Sequence, residues 1–234
     1  MNTRTRKHSN TPADWLFGAW AVFEKDLRLE LRSRYAVNML VMFVLSTLLL
    51  VLFAIGQESV TERVQSALLW VIVTFSAAIG LGRAFIGEEE RGTVLLLQLN
   101  TQGSMVYAGK LVFNFLLVLG LNVIALGGFL LLFRLKIQAP GLLLATLLLG
   151  ALGLSSTTTF LSAIIARTSN QGPLLPVLVF PVLIPLLLSV VSATRTAILG
   201  AGWSFAADEL LTLVGFAGVT ITAAFLLFEY VWRD

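Results

Sequence analysis

Six stretches of this chain run for 19 to 30 residues without a charged side chain: 35–57, 64–82, 111–133, 137–166, 168–194 and 210–228. A helix needs about 20 apolar residues to cross a hydrocarbon core about 30 Å thick. Each stretch is dense in Leu, Val, Ile, Phe and Ala. The pattern predicts an all-α membrane protein with six transmembrane helices in one domain over 35–232. Composition agrees, with 57% hydrophobic and 12% charged residues, against about 45–50% and about 25% in soluble domains. An ordinary soluble enzyme and a disordered chain are both excluded. A further charge-free stretch, 92–109, is interrupted by Thr93, Gln98, Asn100, Thr101, Gln102, Gly103 and Ser104. It predicts a loop helix at the surface between the second and third spans.

Lys and Arg distribution orients the bundle. With the N-terminus inside, twelve basic residues fall on the inner side and four (Arg63, Arg134, Lys136 and Arg195) on the outer side. Both termini are therefore expected in the cytoplasm. Residues 1–13 are expected to form a disordered basic tail, and 14–34 a cytoplasmic interfacial helix. There Leu16, Trp20, Phe23, Leu27 and Leu31 form one helical stripe, with Lys25, Asp26, Arg28 and Arg32 on the opposite side. Such a helix suits the surface of an anionic leaflet; a plain anchor for the first span is the other reading. The apolar block Trp15–Phe23 is only nine residues long and is not expected to be a cleaved signal.

The proposed spans hold no ionisable residue except Glu229, at the inner end of the last. Proton-coupled carriers and voltage sensors need such groups within the membrane, so both classes lose support. Asn114, Asn122 and the run Ser155-Ser156-Thr157-Thr158-Thr159 are the polar residues that remain, and small residues recur in steps of four along the fourth span. They serve helix packing or line a substrate path. In the fifth span Ser169 and Asn170 are placed to cap the start and Pro173 suits the first turn. Pro176, Pro181 and Pro185 then fall inside, where each removes a backbone hydrogen bond. A kinked or broken helix is expected, acting as a static bend or as a moving element. Ser192–Glu209 is expected to be an outer loop of about 18 residues, with Trp203 and Phe205 as headgroup-level aromatics.

Much chemistry is missing. There is no Cys, and the one His is His8 in the basic tail, so thiolate metal sites, disulfides and histidine-based catalysis are not available. The nearest match to a nucleotide-binding loop, Gly103 to Gly109-Lys110, has five intervening residues and Leu111 where Ser or Thr should hold magnesium. No serine-hydrolase elbow or zinc-protease motif occurs. The juxtamembrane basic cluster accounts for the net charge of +3 without nucleic acid. No catalytic residue is assigned.

One charged constellation stands apart: Glu88-Glu89-Glu90-Arg91-Gly92-Thr93, just inside the second span. It is a solvated loop or a docking site for a cytosolic subunit. With Phe85, Leu95-Leu96-Leu97, Gly109-Lys110-Leu111 and Asn114, it resembles the coupling-helix region of ABC-2-type exporter permeases. Phe23-Glu24-Lys25-Asp26-Leu27-Arg28-Leu29-Glu30-Leu31-Arg32 and the proline-rich segment Leu174–Leu187 are similar to the heme exporter protein B (CcmB) family. That family supplies the permease subunit of the cytochrome c maturation ABC transporter. The resemblance spans roughly 23–195, with Asn100 where the family usually has proline.

The resemblance implies a non-catalytic permease in a bacterial inner membrane, coupled through Glu88–Thr93 to a separate cytosolic ATPase that binds ATP. Heme-handling membrane subunits and a periplasmic heme chaperone are the other implied partners, with heme held on those subunits. A second copy of the chain is left open as a partner. Heme iron takes His, Met, Cys or Tyr ligands; His8 is a tail residue and Met39 and Met42 suit apolar packing in the first span. No cofactor or metal is expected on this subunit. A generic ABC-2 exporter of a lipid, drug or polysaccharide is the alternative, and a scaffold with no ATPase partner is a third reading.

Overall fold

A computed structural model describes residues 12–56, 60–81, 85, 92, 97, 101–133, 135–166 and 174–233, without the side chains of 174–176 and 231–233. Among the described residues every regular element is helical: α1 Pro12–Ser33, α2 Tyr35–Ile55, α3 Glu62–Leu81, α4 Gly103–Leu132, α5 Pro140–Ala166, α6 Leu174–Leu199 and α7 Ala207–Arg233. A single 3₁₀ turn, Trp203–Ala206, precedes α7. Among the described residues, helices α2 to α7 are the six that are long and apolar enough to span a membrane.

Local chemistry sets the elbow between α1 and α2. Arg34 sits there in the left-handed region, at φ 52°, which costs an L-residue about 1–2 kcal/mol. Glu30 offsets part of that cost: its carboxylate accepts the Val37 N–H at 2.8 Å, one of the donors that the first turn of α2 leaves without a helical partner. The chain thus leaves α1 and turns at once into the first span.

Helix α5 is the axis of the bundle. Of its membrane-crossing stretch 67% is buried, against 17% for α2 and for α7. Lipid tails are as apolar as leucine, so helices in a bilayer associate through close packing and interhelical hydrogen bonds rather than hydrophobic exclusion. The sequence supplies both means. Trp70 of α3 is fully buried over Gly150 of α5, where a β-carbon would run into its ring. Its indole Nε1 donates to Thr194 Oγ1 of α6 at 2.9 Å. Leu186 of α6 fills the space over Gly153, and Leu48 of α2 that over Gly128 of α4.

Two boundaries depart from the expectation. Residues 103–109 are not part of a surface loop helix but the first two turns of α4, with Val106, Tyr107 and Gly109 buried. The outer loop expected over Ser192–Glu209 shrinks to Gly200–Gly202 and the 3₁₀ turn, because α6 continues to Leu199. Arg195 is exposed on that helix; a long cationic side chain reaches the interface without ending the helix that carries it. Trp203 and Phe205 are 56% and 74% exposed, at the end of the bundle opposite α1.

The Gly150 socket makes a direct prediction. Gly150→Ala should lower the thermal unfolding midpoint in detergent, with an overpacking cost of about 1–3 kcal/mol. Gly127, which has open space where a β-carbon would go, should show no loss on the same change. Equal midpoints for both variants would remove the socket from the account of stability.

Candidate functional site

The base of α4 lies against α1, and three contacts tie the two helices. Trp15 Nε1 donates to Ser104 Oγ at 3.0 Å. At Gly109 the backbones come so close that a β-carbon would lie 2.5 Å from the Ala19 carbonyl oxygen and 2.8 Å from Val22 Cβ. Only a residue without a side chain fits there. One residue on, Lys110 Nζ donates to Asp26 Oδ2 at 3.0 Å.

This ion pair is buried: the side chains of Lys110 and Asp26 are 3% and 9% exposed. Lys25 approaches the other carboxylate oxygen at 3.3 Å. The Lys110 ammonium also stands 5.0 Å from the centroid of the Phe85 ring, whose negative face attracts a cation. Removing ions from water costs several kcal/mol each, and partners at this range repay it only with good geometry. The arrangement fixes where α1 sits relative to α4 and Phe85.

Around the pair lies a second apolar core. Phe85 stacks at a tilt on Phe228 of α7 at 5.6 Å, and Tyr107 of α4 meets Phe228 at 5.4 Å and Phe225 at 5.2 Å. Val22 of α1 and Ala163 and Ala166 of α5 close the cluster. Four helices therefore contribute to the cluster that holds Phe85, and Phe85 itself meets Phe228 of α7 and the Lys110 ammonium of α4.

Of the sequence-predicted coupling residues, Glu88, Glu89, Glu90, Arg91 and Thr93 lie outside the described residues, as does the capping segment with Ser169, Asn170 and Pro173. Gly92 is exposed and takes φ 66°, a conformation that glycine adopts without strain. Pro176 falls in the first turn of α6, and Pro181 and Pro185 lie inside it. The helix runs through them without a break, against the broken alternative. Both interior rings point outward, while Val179, Leu183, Leu186 and Val190 form the buried side. A break is unnecessary because only the carbonyls four residues earlier lose their partners.

Several polar residues of the core form hydrogen bonds within the bundle. Thr157 and Thr158 return their hydroxyls to carbonyls of α5 at 2.9 and 2.8 Å, Asn114 Nδ2 donates to Thr159 Oγ1 at 2.8 Å, and Ser156 and Thr220 share a bond at 2.8 Å. Met42 is exposed on α2 and Met39 half-buried. Among the described residues no group of three or more His, Asp or Glu is placed to hold a metal ion.

The ion pair departs from the sequence expectation, which has Asp26 on the polar side of the first helix and starts the third span at 111, one residue after Lys110. In the structure α1 turns Val22, Phe23 and Asp26 inward and leaves Leu16, Trp20 and Leu31 of the expected stripe exposed. The available signal was Met105-Val106-Tyr107 before Lys110, which carries the apolar pattern of the third span back across the lysine.

A family model described as CcmB protein matches residues 18–228. The chain belongs to the CcmB family. The match takes in most of α1, the ion pair, the proline helix and most of α7. Three relatives named heme exporter protein B are similar over most of their length. That of Paracoccus denitrificans is 32% identical over 212 residues, covering 86% of this chain and 90% of its own. That of Bradyrhizobium diazoefficiens is 30% identical over 183 residues, covering 77% and 82%, and that of Rhodobacter capsulatus 29% over 170 residues, covering 72% and 78%. CcmB membership supports the heme exporter permease of cytochrome c maturation over the generic ABC-2 exporter.

The buried pair predicts an asymmetric pair of mutants. Lys110→Met alone leaves the buried Asp26 carboxylate with only the partly exposed Lys25 and should be destabilising, toward the lower end of about 3–5 kcal/mol. Adding Asp26→Leu should restore most of the loss. Unfolding midpoints of the single and double variants measure this, and a double variant as unstable as the single one would contradict it.

Proposed function

We propose that this subunit transmits the closure of a separate cytosolic ATPase into the membrane complex that handles heme during cytochrome c maturation. The observation that carries the reading is the apolar cluster of α1, α4, α5 and α7 residues that includes Phe85, three residues before Glu88, in a chain of the CcmB family. A push on the acidic segment would reach Phe85 and, through Phe228, Tyr107 and the Lys110–Asp26 pair, would move four helices as one body. In this reading Glu88-Glu89-Glu90-Arg91-Gly92-Thr93 dock on the ATPase, and Arg63, Arg134, Lys136 and Arg195 mark the periplasmic side of a bacterial inner membrane.

ATP is bound and hydrolysed on the partner, whose energy serves heme export or release of a heme-loaded periplasmic chaperone. The permease itself ligates no heme; membrane partners and the chaperone hold it. Support comes from the ligand inventory: the chain has no cysteine, and His8 is its one histidine.

Charge reversal at Glu88 and Glu89 to Lys should lower ATPase co-purification by about tenfold or more and reduce cytochrome c yield, with the permease still inserted at normal levels. Unchanged association and yield would take this segment out of the mechanism. The orientation has its own check, helped by a chain without cysteine. A membrane-impermeant maleimide added from the periplasm should label Gln138→Cys and leave His8→Cys unlabelled; the reverse pattern would invert the topology.

A further inference from the structure

Between α3 and α6, at the end of the bundle opposite α1, lies a cleft of about 630 Å³ lined by Arg63, Ala67, Ile184, Leu187, Leu188, Val191, Ser192 and Arg195. Its two arginines stand at one end, and its apolar wall descends α6 as far as Ile184. Both guanidiniums are exposed, and among the described residues neither is engaged by a carboxylate. The carboxylate of Glu209 instead accepts the Ser192 hydroxyl at 2.7 Å.

From Arg195 to Ile184 the helix axis rises about 16 Å, about half of a hydrocarbon core of about 30 Å. The cleft is thus one leaflet deep, cationic at the headgroup level and apolar below it, where Ile184 and Leu188 are 54% and 69% exposed. We propose that it binds a single anionic phospholipid, with the phosphate between Arg63 and Arg195 and an acyl chain along Ile184, Leu187, Leu188 and Val191. Charge complementarity selects the headgroup, because guanidinium groups pair with phosphate oxygens through parallel hydrogen bonds. The same geometry disfavours heme as the occupant: the lining residues include no His, Met, Cys or Tyr to ligate its iron.

The test is native mass spectrometry and lipid analysis of the full-length protein extracted with its membrane partners in mild detergent. The wild type should retain phosphatidylglycerol in preference to phosphatidylcholine. Arg63→Gln and Arg195→Gln should each weaken retention about fivefold. Leu188→Trp, which fills the apolar groove and leaves both guanidiniums in place, should displace the lipid as well and stands as the second test if an arginine variant fails to insert. Equal retention of the zwitterionic lipid, or retention unaffected by all three changes, would overturn the proposal. So would displacement of the lipid by inorganic phosphate with Leu188→Trp silent, which would assign a free-anion site, or recovery of heme in place of lipid. Loss of lipid specificity with ATPase association intact would separate this site from the coupling segment.

Discussion

A buried ammonium, paired with a carboxylate and close to an aromatic ring, organises one whole end of this molecule. Lys110 cannot sit two turns into a membrane-crossing helix unless its charge is answered, and Asp26 answers it from another helix. That requirement brings α1 against α4, and Gly109 permits the close approach by presenting no side chain. Once α1 is seated, Trp15 reaches Ser104 of α4 and lies 6.2 Å from the Phe225 ring of α7. Because an ion pair buried this way is costly when either partner is removed, the end of the bundle has a strongly preferred arrangement rather than a sliding contact.

The rest of the bundle is held by a different means. Large side chains lie over glycines, as Trp70 does over Gly150 and Leu48 over Gly128, and a few hydrogen bonds join α3 to α6, α4 to α5 and α5 to α7. Each such bond contributes about 0.6 kcal/mol on average in a membrane, so shape complementarity around α5 carries more of the cohesion than any one of them. The two ends differ in kind: the base is tightly bound, while the opposite end carries the open cleft between α3 and α6.

Six spans, their order and the α-helical class were legible in the charge-free runs, because a bilayer imposes length and apolarity on every segment that crosses it. The family was legible in the acidic segment and the proline-rich helix, and the match over 18–228 agrees. Boundaries were less legible: Lys110 and Arg195 break the runs as charges yet lie within α4 and α6. The first helix was legible as a helix but not in its rotation. Its apolar stripe Leu16, Trp20 and Leu31 faces outward, while Val22, Phe23 and Asp26 face the protein, because an amphipathic pattern cannot tell lipid from a neighbouring helix when both are apolar.

What the sequence determined by itself is therefore one-dimensional: how many segments cross, where apolar length suffices, and which short motifs mark the family. Partner choice was left to the tertiary structure. Asp26 and Lys110 are 84 residues apart, and Trp70 and Thr194 are 124 apart; nothing local to either residue specifies the other. Whether a charge in a helix is exposed at the interface, as Arg195 is, or buried in an ion pair, as Lys110 is, depends on which helix packs beside it. Only the assembled bundle decides that, because the penalty for an unpaired charge is felt after its surroundings have excluded water.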